Sequence, residues 1–142
     1  MKAGVIGVLA LVLGLGAYVF LSGTAEETPQ AAPPQGDALA AITLPEALGP
    51  NAKIGQRVFQ AKCADCHGVD AVGVDGSGPP LVHKIYEPSH HADEAFQRAV
   101  QLGVRSHHWR FGDMPAVDGL TRGDVTMIVA YIRELQRENG IF

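Results

Sequence analysis

Cys63 and Cys66 are separated by two residues, Ala64 and Asp65, and His67 follows at once. Two thiols at that spacing can add to the two vinyl groups of one porphyrin, and the adjoining imidazole can bind its iron, so the stretch reads as a c-type haem attachment site. It supplies covalent anchor and proximal ligand together. A zinc half-site is a competing reading, but it needs a second Cys or His pair at ligand spacing, and the chain has no third cysteine. A redox dithiol would sit among alternating strands and helices, and the sequence shows no such alternation.

An iron held by His67 on one face needs a donor on the other if it is to be six-coordinate. Met114, followed by Pro115, is the only methionine in a loop of the expected folded part; Met127 falls in a helical run and Met1 in the leader. A thioether is a soft ligand that favours ferrous iron and raises its potential. Pro115 stiffens the backbone beside the sulfur. Two readings stand against it: Met114 as a gap-filler in the core, and His107 or His108, a few residues upstream, as a ligand that would lower the potential.

The ligands need elements to hold them. Asn51 is a candidate N-cap for a helix over about Ala52–Cys63, with Ile54, Val58 and Ala61 at helical spacing and Phe59 beside them. Gly55 inside that helix costs about 1 kcal/mol against alanine, which points to close packing, with Tyr131 of the last helix as the expected filler above it. A second helix is expected over His91–Leu102, with Phe96, Ala99 and Val100 inward and Gly103 as its stop. Thr121 and Asp124 form a capping pair for the last helix, whose apolar stripe is Val125, Ile128, Val129, Ile132 and Leu135 and whose end is Asn139-Gly140. Between the haem motif and Pro88 the chain is a glycine-rich loop, and a metal-binding histidine usually donates its second N–H to a carbonyl. The Pro79 carbonyl is the candidate for His67, with Leu81 turned onto the porphyrin.

Of the 142 residues, 46% are hydrophobic, much of that concentrated near the N-terminus. Ala3–Leu21 carries no charge and is long enough for a bilayer, which needs about 20 apolar residues. Lys2 before it and Glu26-Glu27 after it orient an N-terminal transmembrane helix with the remainder exported. Gly23-Thr24-Ala25 leaves cleavage near Ala25 as the other possibility. Export agrees with haem attachment, which in bacteria resembles a process completed outside the cytoplasmic membrane. The expected organisation is an anchor or signal segment over 1–22, a flexible Ala/Pro-rich linker over 23–50 and a folded domain over 51–142. The linker would span about 30 Å as a coil, with Leu39–Leu48 apolar enough to lie along the domain. The folded part has ten Lys and Arg against eleven Asp and Glu, so no basic face for nucleic acid is implied.

In order along the chain, Gly55 with Phe59, Cys63-x-x-Cys66-His67, Gly78-Pro79-x-Leu81, Met114-Pro115 and Tyr131-Ile132 resemble a class I, mitochondrial-type c-type cytochrome in a membrane-tethered bacterial form. The resemblance runs from about Asn51 to the end. It implies an all-α fold with crossed N- and C-terminal helices around one covalent haem c, His67 and Met114 as axial ligands, and electron transfer through the exposed haem edge. In that family an aromatic or basic side chain often bonds a haem propionate, which makes Trp109 and Arg110 the candidates here. The function implied is a single-electron carrier on the periplasmic side of the cytoplasmic membrane. A dehydrogenase or quinol-oxidising complex would be its donor and a terminal oxidase or reductase its acceptor. Alternatives are a ligand-binding sensor or peroxidase-like enzyme with a displaceable distal ligand, and a haem subunit of a larger oxidoreductase.

Five histidines besides His67 depart from the plain pattern: His83, His90, His91, His107 and His108, in two groups flanking the second helix. They read either as solvated loop residues or as one convergent face, forming a second metal site or a pH-dependent partner surface.

Overall fold

Residues 36–142 are described by a computed structural model of the chain, so the expected membrane segment 1–22 and the first part of the 23–50 linker lie outside the described residues. Among the described residues no helix is long and apolar enough to cross a membrane. Four α-helical segments follow in order: α1 (Pro50–Lys62), the one-turn α2 (Ala64–His67), α3 (Asp93–Leu102) and α4 (Arg122–Glu138). Short 3-10 turns lie at Val69–Ala71 and Lys84–Tyr86. The described residues contain no strand, only isolated antiparallel bridges at Val74–Gly78 and Val104–Met114.

The two long helices face each other at their least bulky point. A Cβ on Gly55 would fall 1.8 Å from the Met127 carbonyl oxygen of α4, so the glycine is there to let two backbones touch. The nearest atoms above Gly55 are the Met127 and Ile128 backbone, not the Tyr131 side chain expected there. Tyr131 packs on Phe59, with ring centroids 5.7 Å apart, and donates its hydroxyl to Asp70 at 2.7 Å. The buried face of α1 is correspondingly Ala52, Gly55 and Phe59, whereas Ile54 and Ala61 are exposed. The face was misassigned because close helix contact selects small residues, and a stripe read by apolar size alone rotates away from it.

Helix ends explain themselves locally. Gly49, not Asn51, caps α1, because Pro50 at the first helical position has its φ already set and no N–H to satisfy. The Gly49 N–H donates to Glu134 of α4 at 2.9 Å. Thr121 and Asp124 form a full capping box at α4, with all five apolar residues of the expected stripe buried beyond it. Helix α3 starts at Asp93 and stops at Gly103, whose φ of 74° only glycine adopts freely.

The second half of the expected linker is bonded to the domain. The N–H groups of Leu39 and Ala40 both donate to the Val72 carbonyl, at 3.2 and 3.0 Å. Thr43 and Asn139 exchange two 2.8 Å hydrogen bonds between its backbone and the asparagine amide. Ile42 and Leu48 pack against the core. Residues 36–49 therefore form a strap across the domain, as the apolar run Leu39–Leu48 suggested, and the expectation of a flexible linker does not hold for this stretch because its backbone bonds to distant residues.

Candidate metal centre

An apolar cavity of about 530 Å³ opens between α1, α3, α4 and the loops that connect them. Its size is ordinary for a site that encloses most of a cofactor. Phe59, Ile128 and Ile132 supply the back wall and Phe96 and Val100 the side. Of the residues expected to form a site, Cys63, His67, Pro79, Leu81, Trp109 and Met114 line this one cavity, and their loops are separate in sequence.

His67 ends the one-turn α2, which begins where Cys63 closes α1. Gly68, at φ 76°, then breaks the helix. The returning loop crosses directly over the motif: a Cβ on Gly78 would fall 2.6 Å from the Cys66 carbonyl oxygen. That approach brings the Pro79 carbonyl to 2.9 Å from His67 Nδ1. With Nδ1–H donating there, Nε2 keeps its lone pair for a metal. Burial lowers His67 below the usual histidine range, opposed in part by the Pro79 bond, so the ring stays a neutral ligand at pH 7.

Cys63 is half-buried and Cys66 exposed, and neither is in a disulfide. Burial and then the neighbouring Cys66 push the Cys63 thiol up to about 11. A redox dithiol draws on a lowered thiol pKa, and Cys63 is shifted the other way.

Met114 reaches the cavity from a loop held at one point. Its N–H and C=O both pair with Val104, at 2.9 Å each, just beyond the end of α3. Gly103 makes the approach possible, since a Cβ there would fall 2.5 Å from the Met114 carbonyl oxygen. In the preceding turn the Ser106 hydroxyl donates to the Trp109 carbonyl, and the indole points inward while Arg110 points out. Arg110 is exposed and is not part of the cavity wall; Arg98 and Arg105 are, and sequence reasoning passed over both. Consecutive residues in an irregular turn carry no periodicity that would tell inward from outward.

Trp109 Nε1 is buried and has no hydrogen-bond partner among the described residues. The Tyr86 hydroxyl is its neighbour and is held above the usual phenol range by burial, with the indole opposing, but the pair falls short of hydrogen-bond geometry. A buried donor without an acceptor costs about 1–3 kcal/mol, and a haem propionate is an acceptor of the right kind. Apolar walls, a neutral imidazole, an inward thioether, two guanidinium groups and an orphaned N–H together fit a haem.

A buried polar network that the sequence reading missed holds the loop opposite. Arg133 donates to Asp93 at 2.9 Å, to the Tyr86 carbonyl at 2.7 Å, to Gln136 at 2.6 Å and to the His91 carbonyl at 2.6 Å. Gln136 passes the link on to the carbonyls of Leu81 and Tyr86. Both residues follow Val129 and Ile132 by four, so their position on the edge of the apolar stripe was the available signal.

Comparison with known proteins agrees with the geometry. A family model described as Cytochrome c matches residues 52–136. The chain is also 30% identical over 79 residues to the Cbb3-type cytochrome c oxidase subunit CcoP of Helicobacter pylori strain 26695, and equally to that of strain 52. The match takes in 56% of this chain but spans only 25% of those relatives.

Proposed function

The chain belongs to the cytochrome c family and carries covalently attached haem c, and from that premise we propose that it is a one-electron carrier with His67 and Met114 as axial ligands. One observation carries the reading: an imidazole with its outer N–H already bonded and a thioether on a pinned loop line the same apolar cavity. The haem supplies the one-electron chemistry of its iron. The protein's part is to fill both axial positions and exclude water, so that little moves when the charge changes. His67 is oriented by Pro79, Leu81 and Phe59 keep the cavity dry, and Met114 is held by the Val104 bridge. Trp109, with Arg98 or Arg105 of the cavity wall, would hold the haem propionates.

The similarity to CcoP supports a place in respiratory electron transfer, and it favours one variant of the reading, in which the chain serves as a haem subunit beside a larger oxidoreductase. In either form the segment 1–22 anchors the chain once in the cytoplasmic membrane with the haem domain on the periplasmic side. The uncharged run Ala3–Leu21 and the Lys2 to Glu26-Glu27 charge order support that orientation. A tether would raise the effective concentration of the domain toward membrane-bound donors and acceptors.

The test is to mix reduced holoprotein with carbon monoxide. A carrier with both axial positions filled gives no adduct on mixing. Rapid, complete uptake would mean an open or displaceable distal site, and the chain would then be read as a ligand-binding or catalytic haem protein with His107 and His108 as its acid–base groups.

A further inference from the structure

Four of the five remaining histidines converge. His90 and His91 occupy the turn before α3, and both of their N–H groups donate to the Glu87 carbonyl, at 3.0 and 2.8 Å. His107 and His108 come from the loop after α3, which Ser106 ties to Asp113 through a 2.8 Å bond. The ring of His108 lies 5.3 Å from that of His90 and 5.2 Å from that of His91, centroid to centroid. One ligand nitrogen from each of His90, His91 and His108 lies within 4.8 Å of the other two. His83 stays apart, its ring edge on Trp109 at 5.2 Å and its Nδ1 accepting from the Ile85 N–H.

Details of the geometry suit a metal. His90 Nε2 and His108 Nε2 are 3.3 Å apart. Two nitrogens bound tetrahedrally at the usual 2.0–2.1 Å would be separated by about 3.3 Å. His91 Nδ1 donates to the Ile85 carbonyl at 2.7 Å, which fixes the tautomer and leaves Nε2 as the free donor atom. Its backbone is fixed as well, because the His91 carbonyl accepts from the buried Arg133. His107 repeats the pattern, with Nδ1 donating to the Arg105 carbonyl at 2.8 Å. Among the described residues no carboxylate belongs to the group, and its donors are nitrogen alone. Calcium and magnesium require oxygen donors, whereas imidazole suits the late first-row ions. His91 and His108 also line the haem cavity, so the group sits at its rim.

We propose that His90, His91 and His108 form a second metal site, separate from the haem iron, which takes one divalent copper, nickel or zinc ion at the rim of the haem cavity and leaves a fourth position open. That position falls to water, to the adjoining His107 or to a donor on a partner. The ligands come from the two loops flanking α3, and the ion would bridge them.

The experiment titrates Zn2+ into ferric holoprotein by calorimetry and records the copper electron paramagnetic resonance spectrum of the holoprotein with one equivalent of Cu2+. The expected results are one tight site per chain and a copper signal coupled to three or more nitrogens. Replacing a ligand should cost more than the 10–100-fold typical of outer-shell changes, so His90→Ala and His108→Ala should each weaken Zn2+ binding by at least about 100-fold. His83→Gln should bind as the parent does. The haem spectrum of each variant reports that the domain is folded, and His90→Gln, at an exposed position, serves where His108→Ala is not. Absence of a stoichiometric site, a copper signal with fewer than three nitrogens, or binding that survives His90→Gln would overturn the proposal, and the His90–His108 contact would then be an imidazole–imidazole hydrogen bond. The site requires His108 to be free of the haem iron, as the Met114 reading has it, and the haem spectrum of Met114→Ala reports a failure of that reading separately from the Zn2+ titration.

Discussion

Gly78 shows how much of the site rests on a residue with no side chain. Its Cα lies so close to the Cys66 carbonyl that any Cβ would collide with it, and that contact brings the Pro79 carbonyl onto His67. Gly78→Ala should push the loop away and lengthen or break the His67 bond. A histidine that loses its outer acceptor is a less basic ligand and stabilises ferric iron less. Potentiometry of the Gly78→Ala holoprotein should therefore read a higher potential than the parent, together with a lower melting temperature; an unchanged potential would show that the Pro79 bond does not tune the iron. Residue chemistry was the most legible part of the sequence. The Cys63-x-x-Cys66-His67 spacing, the Pro79 carbonyl and the Met114-Pro115 pair all follow from what each group can bond, and all but the exposed Cys66 and Pro115 reach one cavity. Arg110 shows where such reasoning ends, since nothing in the order Trp109-Arg110 says which side chain turns inward.

At the scale of elements, the helix pair α1 and α4 holds the back wall of the cavity, and its closeness depends on Gly55. Gly55→Ala places a methyl group inside the Met127 carbonyl, so the helices must separate and the Phe59–Tyr131 packing must loosen. Overpacking of this severity costs about 3 kcal/mol, which chemical denaturation of the holoprotein would read as a lower midpoint. The capping box gives a milder, pH-dependent case. Thr121→Ala should cost about 1 kcal/mol. The Thr121 hydroxyl and then its N–H hold Asp124 below the usual carboxylate range. A depressed carboxylate stabilises the fold above its unfolded pKa, about 3.9, and loses that contribution as pH falls through the lower folded value. Asp124→Asn should therefore be less stable than the parent at pH 7, with the gap closing below about pH 4; thermal melts across that range would check it. Capping signals are local, which is why α4 was legible end to end. The buried face of α1 was not, because it is selected by the helix it touches.

For the whole molecule, the packed domain begins before the expected boundary at 51, since residues 36–49 run across it as a strap joined to Val72, Asn139 and Glu134, in keeping with the apolar Leu39–Leu48 run. Proline and alanine in that stretch signal a weak tendency to form elements, and they say nothing about whether its N–H groups meet carbonyls elsewhere. The helix pair and the histidine loops surround a cavity with a large apolar lining and an indole N–H that has no partner among the described residues. A domain this small gains much of its core from its cofactor. Everything proposed for its function then turns on the donor opposite His67. The direct measurement is the optical spectrum of the ferric holoprotein, searched for the weak charge-transfer band of a thioether–iron bond, beside the same spectrum of Met114→Ala. A band present in the parent and lost in the variant, with a fall in potential, is the expected result. A parent without the band, or a band that survives Met114→Ala, would contradict Met114 as the axial ligand and turn attention to His107 and His108.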